Sequence, residues 1–170
     1  MSSAKKIGSK VVAFAAPAFV KDDSFAYDIN NEFNGVEVTG LFADKQVFTG
    51  KGAGSFPTAS AVLSDVSALL FDYQYEYKKS LSNLLSLAED FVLKAFVSSK
   101  NQKDLEALTF IELEEEFTSL NYSYKVGRIN INEFSHQLYR ENPNIFISFF
   151  EDAKVEVLDE LVVEQENVEV

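Results

Sequence analysis

The spacing of apolar and polar positions changes several times along this 170-residue chain. The run KVVAFAAPAFV at 10–20 is apolar and β-leaning, which predicts a buried strand with Pro17 at an edge or bulge. KDDS at 21–24 predicts a turn. In NGVEVTGLF (34–42), Val36, Val38 and then Leu41 suit a strand. ADK at 43–45 turns the chain and QVFTG (46–50) returns it, so the two runs predict a hairpin. The period then lengthens. Ala59, Val62, Leu63, Val66, Leu69, Leu70 and Tyr73 recur at the three-and-four spacing of an amphipathic helix over roughly 57–76. Pro57 suits its first turn, where a missing N–H costs little. The rest of its first half is small (Ser60, Ala61, Ser64, Ser67, Ala68), a face that another backbone or a ligand can approach. DYQYEYKK (72–79) closes the helix with lysines where its dipole favours cations.

SLSNLLSL (80–87) reads as a linker and marks a boundary. Strands are predicted at 90–99, 109–120 and 122–130, a short helix at 131–142 stopped by Asn142-Pro143, and a last strand at 144–152. This order, with only the short KDLEAL segment after its first strand, resembles an ACT-type core whose first helix has shrunk. The expected fold class is α+β: a mixed sheet with one long helix, then a small ACT-like, ferredoxin-like unit. The expected division is 1–80, 85–152 and an acidic tail at 153–170.

Composition narrows the functions. Hydrophobic residues make up 46% of the chain, and 16 Phe with 7 Tyr against no Trp make the expected core aromatic. With no Cys there are no disulfides, thiolate metal sites or Cys nucleophiles. The net charge of −12 repels phosphate backbones and anionic lipid, so neither nucleic acid nor a membrane is an expected partner. Pro17 and Lys21-Asp22-Asp23 interrupt the only early apolar run, which leaves no signal-peptide core and makes a cytoplasmic location the expectation. Residues 151–170 carry eight acids and one base, a net −7 that leaves −5 for the other 150; a solvated, frayed terminus is expected there.

The most informative stretch is GKGAGS at 50–55, with glycines at alternate positions before a helix. Glycines permit positive φ and close approach of a ligand to the backbone, and free N–H groups at a helix start attract anions. By itself the run fits a structural turn as well as a ligand contact. It is neither the GxGxxG of a dinucleotide fold nor a Walker sequence. The longer string is more specific. Phe33-Asn34-Gly35-Val36 is followed by Phe48, Gly50, Gly52-Ala53-Gly54, Pro57-Thr58-Ala59-Ser60-Ala61-Val62 and Asp65. This pattern resembles the end of the catalytic region of homoserine dehydrogenases, strongly over 34–66, less over 10–33 and weakly over 67–152. It is closest to the variety whose helix runs on into YEYKK, here 75–79.

The resemblance implies a part of an NAD(P)H-dependent enzyme that reduces L-aspartate 4-semialdehyde to L-homoserine, on the way to threonine, methionine and isoleucine. It implies that Gly54 lies against the nicotinamide cofactor, with Gly52, Ala53 and Thr58 as further cofactor-binding candidates. It also implies that most of the NAD or NADP is bound by a nucleotide-binding domain this chain lacks, and that the chain starts just after a catalytic segment bearing acids and a lysine. The choice between NAD and NADP is read outside these residues. No catalytic residue is assigned, and the chain alone is not expected to be active. A homo-oligomer, with dimer contacts through the sheet, is expected of the intact enzyme. Lys51 and Phe56 fall at variable positions of the motif and receive no role.

Other residues weigh less. His136 is the sole histidine and reads as an exposed helical residue. Glu112, Glu114, Glu115 and Glu116 read as a solvated strand face, since alternate residues point to opposite sides and no metal site is expected. Asp22 and Asp23 read as turn residues, Asp65 and Asp72 as two carboxylates on one helix face, and Tyr73, Tyr75 and Tyr77 as packing residues. The alternative function is a non-catalytic ACT-like module at 85–152 that senses an amino acid or mediates association. The shrunken helix argues against sensing, because it removes one wall of the usual effector site.

Overall fold

The computed structural model describes residues 1–73, 85–134, 142 and 144–158. It has two compact units: Met1–Phe19 together with Leu81–Val170, and Val20–Ser80. This grouping places the first nineteen residues with the second half of the chain, whereas the expected division kept 1–80 together.

In the first unit, β1 (Ser2–Ile7) pairs antiparallel with β2 (Lys10–Ala15) around a turn where Gly8 has φ 54°. Pro17 then ends the strand predicted over 10–20, and the two halves enter different sheets. Ala18–Phe19 forms β3, which pairs parallel with β10 (Phe146–Phe150), while the Pro17 carbonyl accepts from the Phe149 N–H at 3.0 Å. Proline brings no ladder donor, so the break falls there. The predicted linker also changes: Ser86–Leu87 forms β6, parallel to β2.

The main sheet runs β3-β10-β7-β9-β8, with β7 at Phe91–Ser99, β8 at Phe110–Thr118 and β9 at Ser123–Asn130. Both β7 and β8 are antiparallel to β9 and therefore parallel to each other, with β9 between them. The five-residue helix α2 (Gln102–Glu106) makes the crossover, so β7-α2-β8 is a split β-α-β unit. The helix predicted at 131–142 begins as a 3-10 turn, Ile131–Phe134; the positions that follow lie outside the described residues apart from Asn142. Glu156–Val157 was expected in the frayed tail. It forms β11 against Phe91 and Val92, and Val157 is buried.

Alternation along β7 places Phe91, Leu93, Ala95 and Val97 on one face. They pack with Val12 from β2, Ile129 from β9, and Ile147 and Phe149 from β10. This face, covered by β1-β2-β6, by Leu105 of α2 and by Leu108 just after it, is the core of the unit. The opposite face carries an aromatic row, Phe19–Phe96–Tyr124–Phe117, with ring centroids 5.3 to 5.5 Å apart.

In the second unit, Ser24 caps a 3-10 turn, Phe25–Asp28, that the sequence pattern did not predict. The predicted hairpin is present as β4 (Phe33–Gly40) and β5 (Asp44–Lys51), in register from Phe33 opposite Lys51 to Gly40 opposite Asp44. A Cβ at Gly35 would lie 2.8 Å from the Phe25 ring, so this glycine lets the 3-10 turn pack on β4. Helix α1 (Ser55–Leu70) follows, ending earlier than 76 because Asp72 turns the backbone to φ 53°. Asp72 is therefore not on the helix with Asp65. Positions 74–79, where YEYKK and its lysines fall, lie outside the described residues. The chain is α+β, with mixed sheets and one long helix.

Candidate functional site

The loop joining β5 to α1 carries the four residues singled out from the sequence: Gly52, Ala53, Gly54 and Thr58. Its start is fixed to the strand before it. The Gly52 N–H donates to the Glu32 carbonyl at 3.1 Å, and Lys51 Nζ donates to Glu32 Oε1 at 2.8 Å while lying 5.3 Å from the Phe33 ring centroid. The Lys51 hydrogen bond, helped by the backbone, holds the Glu32 carboxyl below its ordinary value. The end of the loop is fixed to the helix. Gly54 is the N-cap residue, and its carbonyl accepts from the Thr58 N–H at 3.2 Å and from Thr58 Oγ1 at 2.8 Å. Thr58 thus spends its hydroxyl proton on the main chain. Pro57 lies in the first turn, where no intrahelical donor is required.

The three glycines are glycine for different reasons. Gly54 has φ 109° and ψ 160°, a conformation essentially reserved for glycine, so the backbone alone demands it. A Cβ there would meet only Pro57 Cδ, at 3.6 Å. At Gly52 a Cβ would fall 1.7 Å from Asn34 Nδ2. At Gly50, opposite Asn34 in the hairpin, a Cβ would meet nothing within 4 Å. Neither the fold nor its own φ explains why Gly50 lacks a side chain. The backbone at Gly50 and Gly54 is open to close approach.

Asn34 is the neighbour to which the sequence reading gave no role. It stands on β4 with Val36, on the opposite side of the strand from Gly35. Hairpin register is what places it: the strands close over 41–43 rather than at the predicted 43–45, with Gly40 opposite Asp44, and that register brings Asn34 across from Gly50.

The remaining candidates separate. Glu112 pairs with Arg128, Glu114 with Lys94, Glu116 with Lys125, and Glu115 accepts from the Tyr124 hydroxyl. Among the described residues no group of three metal-ligating side chains converges. His136, Tyr75 and Tyr77 lie outside the described residues. At the turn from β7 into α2, Asp104 accepts from Ser99 Oγ at 2.7 Å and from Asn101 Nδ2 at 3.0 Å, so its carboxylate holds the turn together.

Comparison with known proteins agrees with this segment. The family model described as homoserine dehydrogenase matches residues 2–67. The homoserine dehydrogenase of Bacillus subtilis (strain 168) is 39% identical over 67 residues, 39% of this chain and 16% of that protein. That of Synechocystis sp. (strain PCC 6803) is 46% identical over 50 residues, 29% of this chain and 12% of that protein. Among solved structures, a homoserine dehydrogenase from Thiobacillus denitrificans has a similar fold, with a TM-score of 0.54 at 15% identity over 88% of this chain and 41% of that one. The chain thus corresponds to well under half of the proteins it resembles. Residues 2–67 are similar in sequence to homoserine dehydrogenases.

Proposed function

We propose that this chain supplies one wall of a homoserine dehydrogenase active site, with NADPH or NADH reducing L-aspartate 4-semialdehyde to L-homoserine in the synthesis of threonine, methionine and isoleucine. The observation that carries the reading is the approachable backbone at Gly50 and Gly54, at the end of a strand and the start of a helix, within the segment that the homoserine dehydrogenase family model matches. The bound dinucleotide would supply the hydride. This chain would hold the nicotinamide end: Gly54 and Gly50 offer backbone without side chains, with Gly52, Ala53 and Thr58 completing the loop. No proton donor for the new hydroxyl is assigned to this chain, and a nucleotide-binding segment carrying the acids and lysine is needed beside it.

The exposed stripe of α1 supports a larger assembly. Leu63 is 68% exposed, Leu69 76% and Leu70 80%, and no residue of the helix is buried. An apolar stripe of this kind marks a surface that another segment or chain covers. We place the intact enzyme in the cytoplasm as a homodimer; no described helix is long and apolar enough to cross a membrane. A second reading, an ACT-like association module at 85–152, draws on the order β8-β9-β7-β10 and the split β-α-β. It is compatible with the first, because the two concern different segments.

Co-expression in a homoserine auxotroph tests the reading. This chain together with the nucleotide-binding segment of a homoserine dehydrogenase restores growth, and either piece alone does not. Continued auxotrophy with both pieces present and folded would contradict it.

A further inference from the structure

Gly52 has neither the positive φ that explains Gly54 nor the empty surroundings of Gly50. Its missing side chain is matched to one neighbour: the space a Cβ would take is already filled by the Asn34 carboxamide, whose Nδ2 would be 1.7 Å from it and whose Cγ would be 2.9 Å away. Asn34 stands across the hairpin from Gly50, two residues before Gly52, and its side chain extends along the strand to Gly52. The start of the loop is therefore held at two points, by the Glu32 carbonyl bonded to the Gly52 N–H and by the Asn34 amide laid on the Gly52 α-carbon. Thr58 holds the far end through the Gly54 carbonyl. Ala53 lies between these anchors, so its placement follows from theirs.

We propose that Asn34 is a positioning residue for the cofactor-facing loop, acting through Gly52 rather than by touching the reacting atoms. The inference rests on the reading above that this loop meets the nicotinamide end of the cofactor. Small displacements of a positioning element cost much more in binding and rate than in stability. Filling the space with a methyl group (Gly52→Ala) and emptying it (Asn34→Ala) disturb the same contact from opposite sides. The clash in Gly52→Ala falls on the far end of a flexible, exposed side chain. It should therefore move the amide instead of unfolding the hairpin.

The test has two arms. In the 170-residue chain, the side-chain NH₂ resonances of Asn34 are followed by NMR. Gly52→Ala shifts them while the rest of the β4–β5 spectrum stays in place; unchanged Asn34 resonances would overturn the contact. In the chain assembled with a nucleotide-binding segment, steady-state kinetics are measured for Asn34→Ala, Gly52→Ala and the double variant. Each single substitution raises the cofactor KM by about tenfold or more. The double variant is no worse than the worse single, because both remove one contact. Asn34→Gln, which keeps the amide, recovers part of the loss. An active assembly whose cofactor KM ignores all three variants overturns the inference and leaves the proposed function standing. An inactive wild-type assembly removes both.

Discussion

Gly127 in β9 lies directly beneath the backbone of β8: a Cβ on it would stand 2.2 Å from the Glu112 carbonyl oxygen and 3.0 Å from the Leu113 α-carbon. The register between the strands slips on either side of this point, between Phe110 and Glu112 and again between Leu113 and Glu115. The irregular strand leans into β9 where only a glycine leaves room. Because the obstacle is main chain, Gly127→Ala should cost about 1–3 kcal/mol, as overpacking does, read by urea unfolding against wild type. A variant as stable as wild type would mean that the strands do not approach so closely.

Core and surface apolar residues should respond in opposite ways. Leu93 is 1% exposed and packs in the centre of the first unit, so Leu93→Ala should cost roughly 2–5 kcal/mol. Leu69, on the open stripe of α1, is 76% exposed, and Leu69→Ser should change the stability of this chain by about 0.5 kcal/mol or less. The same Leu69→Ser should weaken association with a nucleotide-binding segment, measured by sedimentation. Unimpaired association would mean that the stripe is not the covered surface.

The strands, the hairpin and the long helix could be read from period alone, because each is a run whose burial follows local alternation or a three-and-four spacing. What the pattern missed depends on partners distant in sequence. Pro17 reads equally as a bulge inside one strand or as a break between two; β10, about 130 residues on, decides for the break by pairing with Ala18 and Phe19. Ser86–Leu87 and Glu156–Val157 are too short to show a period and become strands only because β2 and β7 offer free backbone there. At the loop, Gly52 and Gly54 were legible as a glycine motif. Their different reasons, an amide neighbour and a positive φ, exist only in three dimensions.

The glycines of the loop should separate by stability. Gly54→Val forces a branched residue into φ 109° and should cost about 1–3 kcal/mol whether or not a ligand is present. Gly50→Ala meets nothing within 4 Å, so the melting temperature of this chain should not fall. If the bare backbone at Gly50 serves a cofactor, the same Gly50→Ala raises cofactor KM in the assembled enzyme. A falling melting temperature with unchanged KM would make Gly50 structural.

Tyr124 should titrate above the ordinary tyrosine value of 10.0, because its hydroxyl donates to the Glu115 carboxylate, with desolvation adding to the effect. A raised value in the folded state favours the neutral phenol. The contribution to stability is thus complete below the ordinary value and is lost as pH rises through the raised one. Glu115→Gln should bring the ultraviolet phenolate titration back down. An unchanged midpoint would show that Glu115 is not the cause.

The most direct measurement of the account is NADPH-dependent reduction of L-aspartate 4-semialdehyde, followed at 340 nm with purified components. The 170-residue chain alone should show no turnover above the enzyme-free blank. The chain mixed with, or fused to, a nucleotide-binding segment carrying the acids and lysine should turn over, and that segment alone should not. Turnover by the isolated chain would contradict the account by placing the catalytic groups within these 170 residues, and a folded, associated but inactive pair would contradict its assignment as a wall of the active site.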